Sequence, residues 1–291
     1  MRIVIVVNIR KQRVKPAVQE LLPWLEQRAT VVGVDNHAQL DLEQIDADGV
    51  LVLGGDGTLL STARRLKGRQ IPLMGVNFGR LGFLASFTPQ QLREQFERFL
   101  RNELPISHRH MIEASVLPAK SASANLSPDE LASRRRFVST ALNDAVVTAG
   151  PPFRMIELEV GADAETGVRY FGDGVIVSTA SGSTAYNVSA GGPIISPNVD
   201  AMCITPICPH SLSFRPVVIA STSTVHIVAT RVNEGTTLFC DGQDSTKLSA
   251  GERIIVRRSA RDVLLVENPD AREWRTLAEK LHWASSPQYQ K

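Results

Sequence analysis

One short segment of this chain combines three glycines with a single carboxylate, the sequence Gly-Gly-Asp-Gly-Thr at 54–58. It follows the apolar run 49–53, which has the pattern of a buried strand, and it leads into a helix predicted over 59–66. Glycines allow a backbone to approach a ligand closely, and free N–H groups at the start of a helix favour phosphate. Thr58 is placed to cap that helix, and Asp56 is the only charged group in a turn otherwise suited to anions.

The spacing of this turn excludes two familiar phosphate-binding motifs. The Lys and Ser/Thr of a P-loop are missing, and a dinucleotide fingerprint fails because Leu60 stands where its third glycine should be. A glycine-rich turn after a parallel strand can also be purely structural. A carboxylate among glycines costs free energy in the folded state, however. This cost favours a role for Asp56 in binding or catalysis over a purely structural turn.

A second concentration of small polar residues lies at 172–193, where glycine, serine and threonine are dense and Tyr186 offers a ring on which a base could pack. Asn143 and Asp144 form a polar pair inside an apolar run. Buried polar pairs normally have a partner, for which a ribose diol is a candidate. The alternative interpretation of 172–193 is a Ser/Thr-rich connection.

The elements that must position these residues alternate between strand and helix in the first half of the chain. Strands are predicted at 2–8, 30–35, 49–53 and 71–76, and helices at 16–28, 40–45, 59–66 and 89–100. Pro23 should kink or break the first helix. Such alternation predicts a parallel sheet, and ligands bind beyond the carboxyl ends of its strands, where Asp56 and the turn 77–83 would face one crevice.

After a polar linker at 103–109, short β-branched or alternating runs predict a β-rich second half. Strands are predicted at 112–117, 137–148, 155–160, 175–178, 217–219, 225–229, 237–240 and 254–256. The segment 120–136 is predicted to be a mobile loop, with Arg134 to Arg136 as a solvated charge run. Asp270 is predicted to cap a last helix that extends to Trp283.

Length, hydrophobic content, net charge and cysteine pattern limit the classes of protein to which this chain can belong. With 291 residues and 43% hydrophobic content the chain can bury a sizeable core, most naturally in two domains. A net charge of +2 argues against nucleic acid or an anionic membrane as a partner, and no apolar run is long enough to predict a membrane span. Three cysteines without a Cys-x2-Cys motif predict a cytoplasmic protein with ordinary thiols, and Cys208-Pro209-His210 lacks the second ligand pair of a metal site.

Together these motifs resemble the NAD kinase family, in the same order and over nearly the whole chain. The resemblance is carried by 54–58, by Asn-x-Gly-x-Leu-Gly-Phe at 77–83, by the pair 143–144, by the glycine-rich 173–186, by Cys-Pro-His-Ser-Leu within 206–217, by Asp-Gly-Gln at 241–243 and by the last helix at 277–283. The first turn alone is less specific, since diacylglycerol kinases, sphingosine kinases and phosphofructokinases have similar ones.

The resemblance implies that the terminal phosphoryl group of ATP, or of polyphosphate in some members, is transferred to the adenosine-ribose 2′-hydroxyl of NAD to give NADP. Mg²⁺ or another divalent metal would be the cofactor, with no ligands assigned. It implies an α/β domain with a parallel sheet at 1–110, a β-rich NAD-binding domain at 111–268, and a C-terminal helix and tail at 269–291 that return to the first domain. NAD is expected to bind between the domains of a cytoplasmic homodimer or homotetramer.

The same resemblance implies the site residues. Asp56 is the catalytic carboxylate. The residues implied for NAD binding are Gly57, Phe83, Asn143, Asp144, Asp173, Ser181, Thr184, Ala185, Tyr186 and Ser189. Those implied for phosphate or ATP binding are Gly54, Gly55, Gly57, Thr58 and Arg80. Further possible site residues are Arg169, His210, Asp241 and Gln243.

The chain departs from the family pattern at three positions. Asp144 stands where many members have Glu, Ala180 occupies a usual proline position, and Phe171 stands where bacterial members often have Arg. Arg169 is the candidate replacement, because residues two apart in a strand share a face.

Two other functions stay open at this point. A lipid kinase of the diacylglycerol type could use the same first turn, although the sequence forms no apolar patch suited to a lipid acceptor. A dinucleotide-binding sensor without turnover could use the same binding residues.

The irregular segments 178–193 and 205–216 also predict a homo-oligomer, because one subunit alone cannot cover so much irregular backbone. Light scattering at the concentration of an activity assay should therefore give a mass of at least two subunits. A strictly monomeric mass accompanied by full activity would contradict this prediction.

Overall fold

The computed structural model describes residues 1–8, 14–79, 82–119, 132–271 and 273–281. The chain forms two compact units: unit 1 contains Met1–His108 and the segment that begins at Leu264, and unit 2 contains Arg109–Val263. Arg80, residues 120–131 of the predicted loop, and the end of the predicted last helix at Trp283 lie outside the described residues.

Unit 1 is built on a six-stranded sheet in the order β2-β1-β3-β4-β18-β5. The strands are β1 (Arg2–Val7), β2 (Thr30–Asp35), β3 (Gly49–Leu53), β4 (Leu73–Val76), β5 (Ile106–Arg109) and β18 (Val263–Val266). The pairs from β2 through β18 are parallel, as predicted. β5 and β18 were not predicted. Each has only four residues, too few for a clear sequence pattern, and each pairs with strands from distant parts of the chain.

In the described part of unit 1 the helices are α1 (Val14–Glu26), α2 (Asp56–Arg65), α3 (Pro89–Leu100) and α5 (Glu273–Leu281). The predicted break at Pro23 is wrong, because α1 continues through this proline to Glu26. The proline removes one backbone donor, and the rest of the helix still forms. The predicted helix at 40–45 is also wrong. The Arg65 and Arg69 side chains bind the backbone carbonyls of Leu40, Leu42 and Ile45, so that segment forms turns.

The C-terminal segment belongs to unit 1 through two further contacts. The Asn268 Nδ2 atom donates to the Ser86 carbonyl oxygen at 2.8 Å, and the Lys280 ammonium lies 4.7 Å from the centroid of the Phe83 ring. The last helix begins at Glu273, so Asp270 is not its cap. No helix in the described part of the chain is long and apolar enough to cross a membrane.

Unit 2 consists of two six-stranded sheets, in the orders β10-β9-β14-β17-β6-β7 and β13-β12-β11-β8-β15-β16. Their strands are β6 (Ile112–Leu117), β7 (Phe137–Ala141), β8 (Asp144–Thr148), β9 (Ile156–Ala162), β10 (Val168–Gly172), β11 (Gly174–Thr179), β12 (Ala201–Ile207), β13 (Val217–Ala220), β14 (Val225–Arg231), β15 (Thr237–Cys240), β16 (Asp244–Lys247) and β17 (Arg253–Arg258). Neighbouring strands are antiparallel. The prediction of a parallel α/β half and a β-rich half is confirmed.

The two sheets of unit 2 share one hydrophobic core, in which Val116 and Ile254 of the first sheet join Val147 and Val177 of the second. The run predicted as one strand at 137–148 is two strands, one in each sheet, because the chain passes between the sheets at 142–143. This crossing places the polar pair at 143–144 at the start of β8.

Candidate functional site

The glycine-rich turn of unit 1 connects β3 to α2. The helix begins at Asp56, with Gly55 as its N-cap and no capping side chain, so the prediction that Thr58 caps it is wrong. Thr58 lies within α2, and its hydroxyl oxygen is 3.3 Å from the Asn8 Nδ2 atom. A Cβ atom on Gly54 would lie 2.4 Å from that hydroxyl, so this position requires glycine.

The Asp56 carboxylate binds three successive backbone amides of the turn that follows β4. Its Oδ2 atom accepts from Phe83 N at 2.9 Å, and its Oδ1 atom accepts from Leu84 N at 3.2 Å and Ala85 N at 3.0 Å. A Cβ atom on Gly82 would lie 1.8 Å from Oδ1. A carboxylate offers about four acceptor positions, so one position on Oδ2 stays available for a ligand hydroxyl.

Unit 2 contains a cavity of about 390 Å³, within the range of roughly 300–1,000 Å³ typical of small-molecule sites. It is lined by Asn143, Asp144, Val146, Thr148, Ala185, Tyr186, Phe239, Asp241 and Gly242. Five of these residues were predicted from sequence: Asn143, Asp144, Ala185, Tyr186 and Asp241. The structure therefore brings into one cavity predicted residues as distant in sequence as Asn143 and Asp241, which are 98 positions apart.

Three elements of unit 2 position the cavity residues. β8 contributes Asp144, Val146 and Thr148, which share a face because the side chains of a strand alternate. A short 3₁₀ helix (Ser181–Thr184) leads into α4 (Tyr186–Ser189), and the turn between β15 and β16 brings Asp241. A Cβ atom on Gly182 would lie 2.0 Å from the Asn143 carbonyl oxygen, so this glycine permits the close approach of the two segments.

Asp241 binds the backbone where the chain crosses between the sheets. Its Oδ2 atom accepts from Leu142 N at 3.0 Å, and its Oδ1 atom accepts from Asn143 N at 2.7 Å and Asp144 N at 3.3 Å. In return, Asp241 N donates to the Asp144 carbonyl oxygen at 3.0 Å. Asp241 adopts a left-handed backbone conformation with φ of 53°, which lets the turn fold back onto β8.

The second carboxyl group of the cavity lies in a different environment. Asp144 is only 5% exposed, and burial together with the neighbouring Asp241 charge raises the pKa of its carboxyl group to about 7. Tyr186 is 45% exposed, so its ring is available to a ligand at the cavity. The cavity therefore combines a buried carboxyl group, an amide, and an accessible aromatic ring.

Several predicted site residues do not line this cavity. Asp173 directly precedes β11, and its carbonyl oxygen accepts from Ala149 N at 2.7 Å, next to the lining residue Thr148. Arg169 pairs with Glu159 on the neighbouring strand at 2.7 Å. His210 is exposed, and its backbone N–H donates to the Phe171 carbonyl oxygen at 2.8 Å.

The remaining predicted residues of unit 2 flank the cavity without lining it. Ser181 and Thr184 belong to the 3₁₀ helix, Ser189 ends α4, and Gln243 lies exposed in the turn after Asp241.

Sequence reasoning missed four lining residues: Val146, Thr148, Phe239 and Gly242. The two-residue period after Asp144 could have identified the first two. In the described part of the chain, no three His, Cys, Asp or Glu side chains cluster in a way that could hold a metal ion.

The chain is similar to known proteins along most of its length. The family description "ATP-NAD kinase N-terminal domain" matches residues 36–104, and "ATP-NAD kinase C-terminal domain" matches 142–268. A curated NAD kinase from Rhodopirellula baltica is 34% identical over 97% of this chain and 87% of its own length. One from Geobacter metallireducens is 38% identical over 97% of this chain and 98% of its own.

Two solved structures resemble this one. An NAD kinase from Archaeoglobus fulgidus in complex with ATP superposes with a TM-score of 0.74 at 26% identity, covering 97% of this chain and 99% of that one. Yeast NADH kinase complexed with NADH gives a TM-score of 0.85 at 24% identity, covering 100% of this chain and 90% of that one. At that lower identity the likeness shows the fold alone.

The raised pKa of Asp144 predicts how stability depends on pH. The folded protein keeps a proton that the unfolded chain releases, so stability should fall as pH rises from about 4 to about 7. We expect Asp144→Asn to remove this loss and to raise the melting temperature by about 3 °C or more near pH 8, and by less near pH 5.

The matched control for this prediction is Asp244→Asn, in the neighbouring hairpin and outside the cavity lining. Scanning calorimetry of both variants measures the effect. A gain in stability that is equal at the two pH values would contradict the assignment.

Proposed function

The chain belongs to the NAD kinase family, and we propose that the cavity of unit 2 binds the NAD that this phosphotransferase phosphorylates. The observation that carries this proposal is the convergence of Asn143, Asp144 and Tyr186 on one cavity of suitable size. The acceptor is the adenosine-ribose 2′-hydroxyl, and the product is NADP.

Each cavity residue has a role suited to a dinucleotide. Tyr186 packs against the adenine base, since its ring is accessible and aromatic stacking on a base is favourable. Asn143 and Asp144 hold the ribose through hydrogen bonds, and Ala185 leaves room beside the ring. Ser181, Thr184 and Ser189 flank the cavity and supply further hydroxyl groups to the same ligand.

Asp56 is proposed as the catalytic carboxylate. Phosphoryl transfer depends chiefly on positioning and electrostatics, and a fixed carboxylate can orient the attacking hydroxyl and accept its proton. The three amides that bind Asp56 fix its position, and its remaining acceptor position is available to that hydroxyl. Phe83, whose amide is one of the three, forms a neighbouring wall.

ATP is proposed as the phosphoryl donor, with its phosphates at the turn that precedes α2. Support comes from the start of that helix, where the positive end of the helix dipole favours anions, and from the similar Archaeoglobus enzyme, which was solved with ATP. The residues assigned to the phosphates are Gly54, Gly55, Gly57, Thr58 and Arg80.

A divalent cation, Mg²⁺ or a similar ion, is proposed as the cofactor. It would be held chiefly by the phosphates of ATP, as Mg²⁺ commonly is, because the described residues form no three-ligand cluster of their own. Its contribution would be to neutralise phosphate charge.

We further propose a cytoplasmic homo-oligomer with domain boundaries near 110 and 268. Free Cys203, Cys208 and Cys240 suit a reducing compartment. Exposed Val217 and Val218 on an edge strand, half or more accessible, suit burial against a second subunit.

The catalytic assignment predicts that Asp56→Asn lowers kcat at least about a hundredfold while NAD affinity stays within a few-fold of wild type. The variant also loses charge-assisted bonds to three amides, so its melting temperature should fall. Steady-state kinetics, calorimetry and thermal unfolding on one preparation measure all three quantities.

Asp35→Asn is the matched control for this prediction. Asp35 is also bound by a backbone amide and by Arg65, at the other end of α2. Its loss should destabilise the same unit and leave kcat of the folded protein near wild type. An Asp56→Asn protein that is destabilised but catalytically competent would end the catalytic assignment.

The assignment of Tyr186 predicts a different kinetic pattern. Tyr186→Ala should raise KM and Kd for NAD by about tenfold and leave kcat at saturation nearly unchanged, because stacking contributes equally to ground and transition states. Tyr186→Phe retains the ring and should behave like wild type. An unchanged KM with a collapsed kcat in the alanine variant would refute this role.

A further inference from the structure

Two carboxyl groups face the cavity of unit 2 with very different partners. The Asp241 carboxylate accepts hydrogen bonds from three backbone amides, which is the environment of a stable anion. The Asp144 carboxyl group is buried, and among the described residues no side chain or amide donates a hydrogen bond to it. A buried carboxylate without donors is costly, whereas the neutral acid needs only one acceptor for its proton.

Among the residues that the structure describes, the elements packed around Asp144 bring no positive charge that offsets its ionisation. β11 places Ser178 opposite Asp144, α4 brings the Tyr186 phenol, and β15 brings the Phe239 ring. The hairpin contributes the Asp241 anion, followed on β16 by Asp244 and Lys247, neither of which lines the cavity. The charge that acts on Asp144 is therefore the negative charge of Asp241, which opposes ionisation of a second carboxyl group beside it.

We propose that Asp144 acts toward the bound dinucleotide as a hydrogen-bond donor, and that Asp241 is the positioning residue that holds it in that role. This inference rests on the proposed binding of NAD in the cavity. The acceptor is an oxygen atom of the dinucleotide, such as a ribose or phosphate oxygen. A neutral Asp144 also avoids repelling the phosphates of the ligand, which a pair of carboxylates would do.

Asp241 serves this arrangement in two ways. Its bonds to the amides of 142–144 fix the start of β8, and with it the direction of the Asp144 side chain. Its charge adds to burial in raising the pKa of Asp144 to about 7. The hydrogen bond to the ligand should therefore be present below about pH 7 and lost as pH rises above it.

The test is calorimetric titration with NAD in the absence of ATP, from about pH 6 to about pH 8.5, in two buffers of different ionisation enthalpy. NAD has no group that titrates in this range. Wild-type protein should bind NAD about tenfold more weakly at the upper end and should take up protons on binding above about pH 7. An NAD affinity that does not change with pH, together with no proton uptake on binding, would overturn the donor role of Asp144.

Three variants complete this test. Asp144→Asn retains a donor, so it should bind NAD within a few-fold of wild type near pH 6 and show neither the decline nor the proton uptake. Asp241→Asn should move the decline to lower pH. The matched control Asp244→Asn, in the same hairpin but outside the cavity lining, should follow the wild-type profile.

The outcomes separate this inference from the proposed function. If Asp241→Asn fails to fold, the wild-type and Asp144→Asn profiles decide the donor role alone. An Asp241→Asn profile that is weaker but unshifted overturns the role of Asp241. Wild-type protein that binds NAD at every pH with equal affinity overturns the inference and leaves the proposed function standing. Folded wild-type protein that does not bind NAD overturns both.

Discussion

In each unit of this protein, one carboxylate accepts hydrogen bonds from three successive backbone amides. It thereby fixes a segment next to the proposed site residues. In unit 1, Asp56 binds the amides of 83–85, and in unit 2, Asp241 binds those of 142–144. Each of these two sets of hydrogen bonds joins parts of the chain that are far apart in sequence. The N–H groups of irregular backbone beside a ligand site need hydrogen-bond acceptors, and these two carboxylates are such acceptors.

The consequence for chemistry is that carboxyl groups of the same residue type differ in character. Asp56 and Asp241 each accept hydrogen bonds from three backbone amides, whereas Asp144 is buried next to the Asp241 carboxylate, which favours its neutral acid. The same type of side chain is therefore proposed for three roles, a base at Asp56, a backbone anchor at Asp241 and a hydrogen-bond donor at Asp144, and its surroundings distinguish them.

Local patterns allowed much of the fold to be predicted, and long-range pairing explains what was missed. β3 and α3 have the predicted bounds, because the first is a wholly buried apolar run and the second has a capping box at Thr88 and Gln91. The turns at 40–45 are set instead by Arg65 and Arg69. At the site, the residue types were recognisable, but the amides that bind Asp56 and Asp241 could not be inferred from spacing.

The most direct test of this account is the formation of NADP by the purified protein with NAD, ATP and Mg²⁺, measured with an NADP-specific dehydrogenase, beside a parallel reaction in which diacylglycerol replaces NAD. The account predicts NADP in proportion to enzyme and time, and no phosphorylated lipid. Folded protein that forms no NADP, or that phosphorylates the lipid instead, would contradict it.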